Sequence, residues 1–421
     1  MKKFLLFLIT ALSGGFLFAQ SDAVSATTPA AKTNFTVIKK NAATAVKNQA
    51  ATGTCWSFST TSLVESQAIK NNLGEFDLSE MFTVRNIYIE KAKNYVLRQG
   101  HAQFSEGGLG HDQVRAIATY GAMPESVYSG LPAGTGAHDH QKLIGELKKY
   151  LDSLIKKIPL PQNWIGGFTK ILDASLGTPP AEFDFGGKKY TPQSFAKEVL
   201  RFNAGDYIAI TSFTHHPFYE SFILEVPDNY SNGAYVNIPV DEMIEITKDA
   251  INSGYTVLWD ADVSNMGFNQ GNGIAALSDT SINSMKKMDM RKLRNEALHK
   301  EKNAATDAGI NQRQQNKTGT ANKNEPAPDP IKEEVLWDAE LRQTLFENLT
   351  TQDDHLMHIT GLEKSPDGKK EFFIVKNSWG KVGPDNGYIH VSESYFGINT
   401  ISLIVPKAAL SKTMLEKLKI K

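Results

Sequence analysis

The chain has 421 residues, enough for two or three domains of ordinary size. Hydrophobic residues at 41% and charged residues at 22% are proportions of a globular protein that can bury a core. With 45 basic against 46 acidic side chains the formal net charge is -1, which excludes a global polybasic footprint for nucleic acid or an anionic membrane surface.

Residues 1–19 read as a signal peptide. Lys2 and Lys3 precede an apolar stretch from Phe4 to Phe18, and cleavage after Ala19 leaves Gln20 as the mature start. The stretch is too short for a comfortable span, which needs about 20 apolar residues. No cysteine sits at the cleavage point to carry a lipid, and no other segment has the length and apolarity to cross a bilayer. The sequence therefore predicts export to the periplasm or the medium, with no stable membrane insertion. Residues 20–34, rich in Ala, Ser and Thr, read as a flexible mature N-terminus.

Residues 35–130 mix helical patterns with glycine-bearing loops. Residues 141–158 repeat Leu143, Ile144, Leu147, Leu151, Leu154 and Ile155 at helical spacing and predict an amphipathic helix. Buried strands are expected at 207–213 and 255–263, with a helix at 239–252 between them. From about 285 the chain becomes charged and then runs into QRQQNKTGTANKNEPAPDP, which lacks the large apolar residues that ordering requires. Residues 303–330 are read as a polar loop or linker. A helix at 335–348 follows, then strands at 355–361, 371–376, 387–391 and 400–405 separated by turn residues. Pro406 to Lys421 reads as a basic, helix-like tail. There is no internal repeat.

Cys55 is the single cysteine. Exported proteins meet oxidising conditions in which cysteines pair, so a lone one is a core thiol, an intermolecular link or a reactive group. Its neighbours favour the last. In Gln49-Ala-Ala-Thr-Gly-Thr-Cys55-Trp56-Ser-Phe, Gly53 permits a tight entry into a helix, and a thiol at a helix N-terminus is biased toward the thiolate by the macrodipole. A nearby imidazolium can lower such a thiol from about 8.5 to around 3–4. Gln49 is placed to aim an amide N–H at a developing oxyanion.

Two further segments complete a constellation. Asp353-Asp354-His355-Leu356-Met357-His358 supplies a base, and Asn377-Ser378-Trp379-Gly380 supplies an amide oxygen to hold the imidazole and a ring to cover that bond. His355 and His358 compete for the base. Side chains alternate along a strand, so the two cannot both face the cysteine.

The ordered set Gln49, Cys55-Trp56, His355, Asn377-Ser-Trp379-Gly resembles the papain superfamily of cysteine peptidases. The resemblance assigns Cys55 as nucleophile, His355 as base through the His-x-Met-x-x-Thr-Gly pattern, Asn377 as its orienting partner and Gln49 as the oxyanion donor. Trp56 and Trp379 match the supporting tryptophans. Leu78-Ser79-Glu80 and Tyr120-Gly121 also match, and Gly107-Gly108 resembles the glycine pair that binds the substrate main chain. The implied fold is α+β, a papain-like two-domain architecture with a helical left domain, a β-barrel-like right domain and a large insertion. The domains are expected at 35–130 (helical, with Cys55), 131–254 (inserted) and 255–405 (β-rich, with His355 and Asn377), followed by the tail at 406–421. The insertion points to the bleomycin hydrolase and aminopeptidase C branch, because Cys55 and His355 stand about twice as far apart as the usual papain spacing of roughly 130–150 residues. Tyr190-Thr-Pro-Gln-Ser-Phe-Ala-Lys-Glu198 resembles a segment of that branch. Thr54 before the cysteine and the polar linker depart from the pattern.

The expected activity is peptide-bond hydrolysis by a Cys-His-Asn thiolate mechanism on peptide substrates, with no cofactor, no metal and no nucleic-acid partner. The resemblance also allows a homo-oligomer. In that branch aminopeptidase action uses the chain's own C-terminus in the cleft, whereas here strand character ends near Val405 and a basic tail follows. An endopeptidase of the same fold, a silent papain-like binding protein and an envelope protein linked through Cys55 are the alternatives. His215-His216 and His138-Asp-His140 lack the spacing of a helical metal site and a clear third ligand, and read as solvated loop histidines. Asp260 and Asp262 flank a hydrophobic strand and could meet a charged group of a substrate, but strand-end carboxylates are more often simply solvated, and they are not counted among the site residues.

Overall fold

The computed structural model describes residues 33–132, 134–277 and 336–420. The expected signal peptide at 1–19, nearly all of the 20–34 segment and the expected polar loop at 303–330 lie outside them.

Two α-helical layers enclose one large mixed sheet. Its spine is β10 (His355–Lys364), the ten-residue strand that begins with the candidate base. One edge of β10 pairs with β11 (Glu371–Lys376). The other edge pairs first with β7 (Val257–Ala261), through His355 to Ile359, and then with β1 (Thr36–Lys40), through Gly361 to Lys364. Beyond β7 come β13 (Thr400–Pro406) and β4 (Tyr207–Thr211), and beyond β11 comes β12 (Tyr388–Ser392). The sheet ends beyond β4 in β6 (Ala234–Asn237) and β5 (Ser221–Ile223) and beyond β12 in β9 (Ile274–Ala275) and β8 (Phe268–Asn269), with β2 (Phe183–Phe185) and β3 (Lys188–Tyr190) a separate pair, and among the described residues it does not close into a barrel. Its elements are mixed α and β as expected, with the β-rich part open.

The strands alternate between two cores. Leu258, Leu356 and Ile404 point into a cluster with Leu63, Val64 and Ile117 of the helical side. Their neighbours Trp259, Met357, Leu403 and Val405 point into a second cluster on the opposite face. Burial on both faces explains why these strands read as continuous apolar runs rather than as alternation.

On the first face lies α1 (Cys55–Lys70), flanked by α2 (Glu80–Leu97) and α3 (Gly110–Tyr120). Ser79 starts α2, its Oγ accepting from Phe82 N–H. The expected amphipathic helix is α4 (Gln141–Leu154), which buries Leu143, Leu147, Leu151 and Leu154 as one stripe and pairs with α5 (Trp164–Leu176). It stops short of residue 158 because Pro159 and Pro161 cannot continue it. The opposite face carries α6 (Val240–Asn252), α7 (Ala339–Glu347) and α8 (Glu393–Asn399). The basic tail forms a 3₁₀ turn and α9 (Lys412–Lys417). It docks there through buried Ala409, Leu410 and Met414, with Lys417 Nζ 2.7 Å from Glu242.

The segment before α4 holds the two histidines first considered as metal ligands. Ala51 N–H donates to His138 O at 3.0 Å and His140 N–H to Ala51 O at 3.2 Å, so this segment braces the Gln49 loop. His140 is 2% exposed and its Nδ1 meets Tyr88 Oη at 3.1 Å. Burial holds it down at about 3 and holds His138 at about 4. Neutral histidines in the native state must compete with histidines that protonate near 6.5 in the unfolded chain. Stability from this source is complete above pH 6.5 and falls as pH drops toward 4. We expect His140 alone to remove about 2–3 kcal/mol between pH 7 and 4.5. Urea unfolding across that range should give a flatter pH dependence for His140→Gln, and parallel curves would refute the assignment.

Candidate active site

Cys55 opens α1. Thr54 caps the helix through its carbonyl, which accepts from Ser57 and Phe58 N–H. Gly53 precedes it because Glu106 comes so near that a Cβ there would lie 3.0 Å from Glu106 Cβ. Gly53 N–H donates to Glu106 Oε2, and Trp56 Nε1 donates to Glu106 O at 3.0 Å, so residues 106–108 are fastened against the cysteine turn. Cys55 is 7% exposed.

The helix carries a hydroxyl stripe onto β10. Ser59 Oγ donates to Leu356 O at 2.6 Å, and Ser62 Oγ meets His358 Nδ1 at 2.8 Å. Positions 55, 59 and 62 share one helix face. Stepping back from Ser59 to Cys55 covers ~6 Å of helix axis, or about two strand residues. That register brings the cysteine turn level with residues 354–355.

His355 sits in a fixed frame. Its Nε2 is 2.7 Å from Asn377 Oδ1, and Trp379 lies over the imidazole with ring centroids 4.6 Å apart. Asn377 Oδ1 also accepts from Ser378 N–H at 2.7 Å, while its Nδ2 donates to Gln270 Oε1 at 2.9 Å. Gln270 is 1% exposed and is itself held by the carbonyls of Val382 and Tyr388. With the Asn377 nitrogen committed to Gln270, the oxygen is turned to the imidazole and accepts its Nε2–H.

His358 has a different environment. It is wholly buried, and burial with the neighbouring Lys376 ammonium drives its pKa well below the ordinary value. Lys376 Nζ donates to Ser62 Oγ and Thr44 Oγ1 at 2.8 and 3.1 Å. The orienting amide belongs to His355, and His358 is part of the joint between α1 and the sheet.

Gln49 is anchored at both ends of its amide. Ser378 Oγ donates to its Oε1 at 2.6 Å, and its Nε2 donates to Thr52 O at 2.7 Å. An amide nitrogen carries two hydrogens, so one N–H is taken by Thr52 and one remains for a ligand. The Asn377-Ser378-Trp379 segment thus ties His355, the ring that covers it and Gln49 together. Gly108 lies flat against Trp56, where a Cβ would be 3.1 Å from the indole. Gly107 lies under Asp228, whose Oδ2 would be 1.9 Å from a Cβ. The structure thus brings Gln49, Trp56, Gly107 and Gly108 around the cysteine turn, and Asn377 and Trp379 around His355.

Known proteins match this chain along most of its length. The profile of the Peptidase C1-like family covers residues 101–324 and 329–421, and that of the papain family of cysteine proteases covers residues 31–93. The chain belongs to the Peptidase C1-like family. It is a papain-like cysteine peptidase. Aminopeptidase C of Streptococcus thermophilus is 22% identical to this peptidase over 410 residues, covering 87% of this chain and 81% of the relative. Aminopeptidase C of Listeria monocytogenes is 24% identical, covering 88% and 82%. Aminopeptidase G of Lactobacillus delbrueckii subsp. lactis is 21% identical, covering 89% and 83%. Among solved structures, PepW from Lactobacillus rhamnosis shares the fold with a TM-score of 0.64 at 20% identity, covering 91% of this chain and 84% of that one.

The remaining candidates find other places. His215 Nδ1 meets Gln343 Nε2 at 2.9 Å and His216 stacks on Phe222, while His138 and His140 brace the Gln49 loop. No group of three or more potential metal ligands occurs among the described residues. Asp260 is 1% exposed and Asp262 is 4% exposed. Sequence reading did not find Gln270. It lies in a loop, Asn269-Gln-Gly-Asn-Gly273, whose pattern signals only a turn, and it reaches Asn377 across more than 100 residues. We expect Gln270→Leu to leave the fold intact but free the Asn377 amide to rotate. Peptidase turnover should fall by about 10- to 100-fold. Unchanged turnover would show that Asn377 holds His355 without help.

Proposed function

We propose that this peptidase is exported and acts as an aminopeptidase, with Cys55 as nucleophile, His355 as acid and base, Asn377 as the group that orients His355, and Gln49 as an oxyanion donor. The observation that carries the reading is the 2.7 Å bond from His355 Nε2 to Asn377 Oδ1 beneath Trp379. It commits Nε2–H to the amide and leaves Nδ1 to exchange a proton with the sulfur and the substrate.

Cys55 thiolate attacks the peptide carbonyl carbon, and the electron pair of the C=O bond moves onto oxygen. The free N–H of Gln49 and the Cys55 backbone N–H receive that charge; one such donor lowers the barrier by about 2.7–4 kcal/mol. The imidazolium of His355 gives its proton to the departing amine as the C–N bond breaks, which leaves a thioester. Water then attacks the thioester, passing a proton to His355, and the C–S bond breaks to return the thiolate. No step calls for a cofactor.

Aminopeptidase action is supported by the names of the relatives, aminopeptidases C and G, at 21–24% identity across nearly all of the chain. An endopeptidase of the same fold is the second reading, and one observation favours it. The tail through Ile420 packs on the sheet face opposite α1, through buried Met414 and partly buried Leu418 and Ile420. A silent binding protein does not require both Gln49 and Asn377 to be held in register with a cysteine and a histidine. A disulfide-linked envelope protein requires an exposed sulfur, and Cys55 is buried. Export rests on the leader-like residues 1–19.

Cys55→Ala and His355→Ala should each abolish hydrolysis of aminoacyl and peptidyl fluorogenic amides, a loss of at least a thousandfold. His358→Gln should reduce thermal stability while turnover persists. Loss of turnover in the His358 variant with full activity in His355→Ala would transfer the base role. For export, the mature protein should appear outside the cytoplasm with Gln20 as its first residue, and a cytoplasmic product of full mass would refute it.

A further inference from the structure

Across the cleft from the catalytic groups runs a strap, residues 224–233, that joins the two walls of the site. It is fastened to the helical side. Tyr230 Oη donates to Glu90 Oε2 at 2.6 Å, Arg115 Nη2 donates to Tyr230 Oη at 2.7 Å, and Asn94 Nδ2 donates to Tyr230 O at 3.1 Å. Asn229 braces the turn from within, its Nδ2 donating to Leu224 O and Gly233 O at 2.7 and 2.9 Å while its Oδ1 accepts from Gly233 N–H. At the crown of this rigid loop, Asp228 touches both walls. Its carboxylate lies on Gly107, and its backbone N–H donates to the carboxylate of Asp353, two residues before His355.

Behind Asp353 is a third carboxyl group. Asp260 stands opposite Leu356 in the β7–β10 ladder and faces the same core as Leu258. Its carboxyl lies against that of Asp353, and two carboxylates in contact repel unless a positive charge joins them. Ser402 Oγ donates to Asp260 Oδ2 at 3.0 Å, but no protein N–H or O–H reaches Asp260 Oδ1 or Asp353 Oδ2. Burial and the crowding of like charges push the Asp228, Asp260 and Asp353 carboxyls above the usual range. The nearest ammonium, Lys91, has its protons directed at Gly107 O, Ser105 O and Ser105 Oγ, at 2.5, 2.8 and 3.3 Å, rather than at a carboxylate. Asp228 itself receives only long contacts, from Gln103 Nε2 and Ser105 Oγ at 3.4 and 3.5 Å. Buried carboxyls in this condition are stable when a cation joins them.

We propose that Asp228, Asp353 and Asp260 receive the α-ammonium of the substrate's first residue, and that the 224–233 strap closes the cleft to any residue preceding it. The inference rests on the peptidase reading above and deepens it. It explains how an aminopeptidase can count one residue from the amino end although the tail packs elsewhere. The ammonium brings a positive charge and three N–H donors to Asp260 Oδ1 and Asp353 Oδ2, which no protein donor reaches. An acetylated N-terminus brings neither charge nor three donors, and its added atoms meet the strap.

The test compares full-length wild type with Asp228→Asn and Asp353→Asn, each close in shape to the native side chain. The first readout is kcat/KM on leucyl-aminomethylcoumarin against N-acetyl-leucyl-aminomethylcoumarin. The wild type should favour the free amine by at least 100-fold, and each variant should reduce that ratio at least tenfold, chiefly through KM. The second readout needs no turnover: protection of Cys55 from iodoacetamide by leucinamide, N-acetyl-leucinamide and Nα-acetyl-lysinamide. Only leucinamide should protect the wild type, and its half-protecting concentration should rise at least tenfold in the variants. An unchanged ratio in folded variants overturns the proposal, as does equal protection by leucinamide and its acetylated form. Protection by Nα-acetyl-lysinamide instead would reassign the carboxylates to a basic side chain. A wild type that is selectively protected yet hydrolyses neither substrate would sink the peptidase reading while leaving the ammonium receptor standing.

Discussion

The seam on which the site depends is the contact between the hydroxyl stripe of α1 and the backbone of β10. Ser59 and Ser62 sit on one face of the helix and reach Leu356 O and His358 Nδ1, nearly 300 residues away. Polar contacts in a buried seam have a property that apolar packing lacks: they fix translation. A helix resting on leucines can slide by a few tenths of an ångström at little cost, whereas two short hydrogen bonds on successive turns define the axial position. For a reaction that needs a sulfur and an imidazole at near-contact distance, that axial position decides whether the chemistry is available. The same seam continues into Lys376, Thr44 and Glu65, where Lys376 donates to Thr44 and Ser62, and Thr44 donates to Glu65. These buried charges stabilise little on their own, since desolvation offsets much of their attraction. Their directionality specifies how the helical layer is seated on the sheet.

What could be read in the sequence follows from how local each signal is. The amphipathic helix at 141–154 and the strands at 257–261, 355–364, 371–376 and 400–406 announce themselves by period or by continuous burial, within windows of five to fifteen residues. The short strands 221–223, 234–237, 268–269 and 274–275 do not, because two to four residues contain no period and their pairing is decided by distant partners. Helix α8 escaped because it is a seven-residue connector between two strands. The candidate site divides the same way. Cys55 and Asn377 carry recognisable neighbours, so their residues could be named. Gln270 and Asp228 carry none. Each sits in a turn-rich stretch that signals only a loop, and its meaning lies in what the fold places beside it.

The choice between the two histidines illustrates how structure completes a reading that sequence leaves open. Alternation along a strand says that His355 and His358 face differently, without saying which faces the cysteine. The structure gives each histidine its partners. His358 points into the seam, beside a lysine, where protonation would put two positive charges together in a dry space. His355 lies at the strand's first position, where one ring nitrogen is held by an amide and the ring is covered by Trp379. A general base must change its protonation state in each turnover. The environment of His358 opposes the charged form, while that of His355 provides a neutral acceptor that tolerates either form.

The inserted region acquires a role from the same geometry. Much of residues 131–254 extends the helical layer, and α4 and α5 bury their own leucine and phenylalanine stripe away from the cleft. The 138–140 segment braces the Gln49 loop, and the strap returns to the site as a rigid element, tied through Tyr230 to Glu90 and Arg115 before it presents Asp228. A mobile loop carrying a carboxylate would collapse onto Lys91 and neutralise it. Rigidity prevents that, because the Lys91 protons are directed to the carbonyls of Ser105 and Gly107 and the strap cannot move to compete for them. The outcome is a group of under-coordinated carboxyls held at a fixed distance from the catalytic turn. Position along a substrate is then measured by the protein's own framework, from Gly107 on one wall to Asp353 on the other, with the cysteine turn between them.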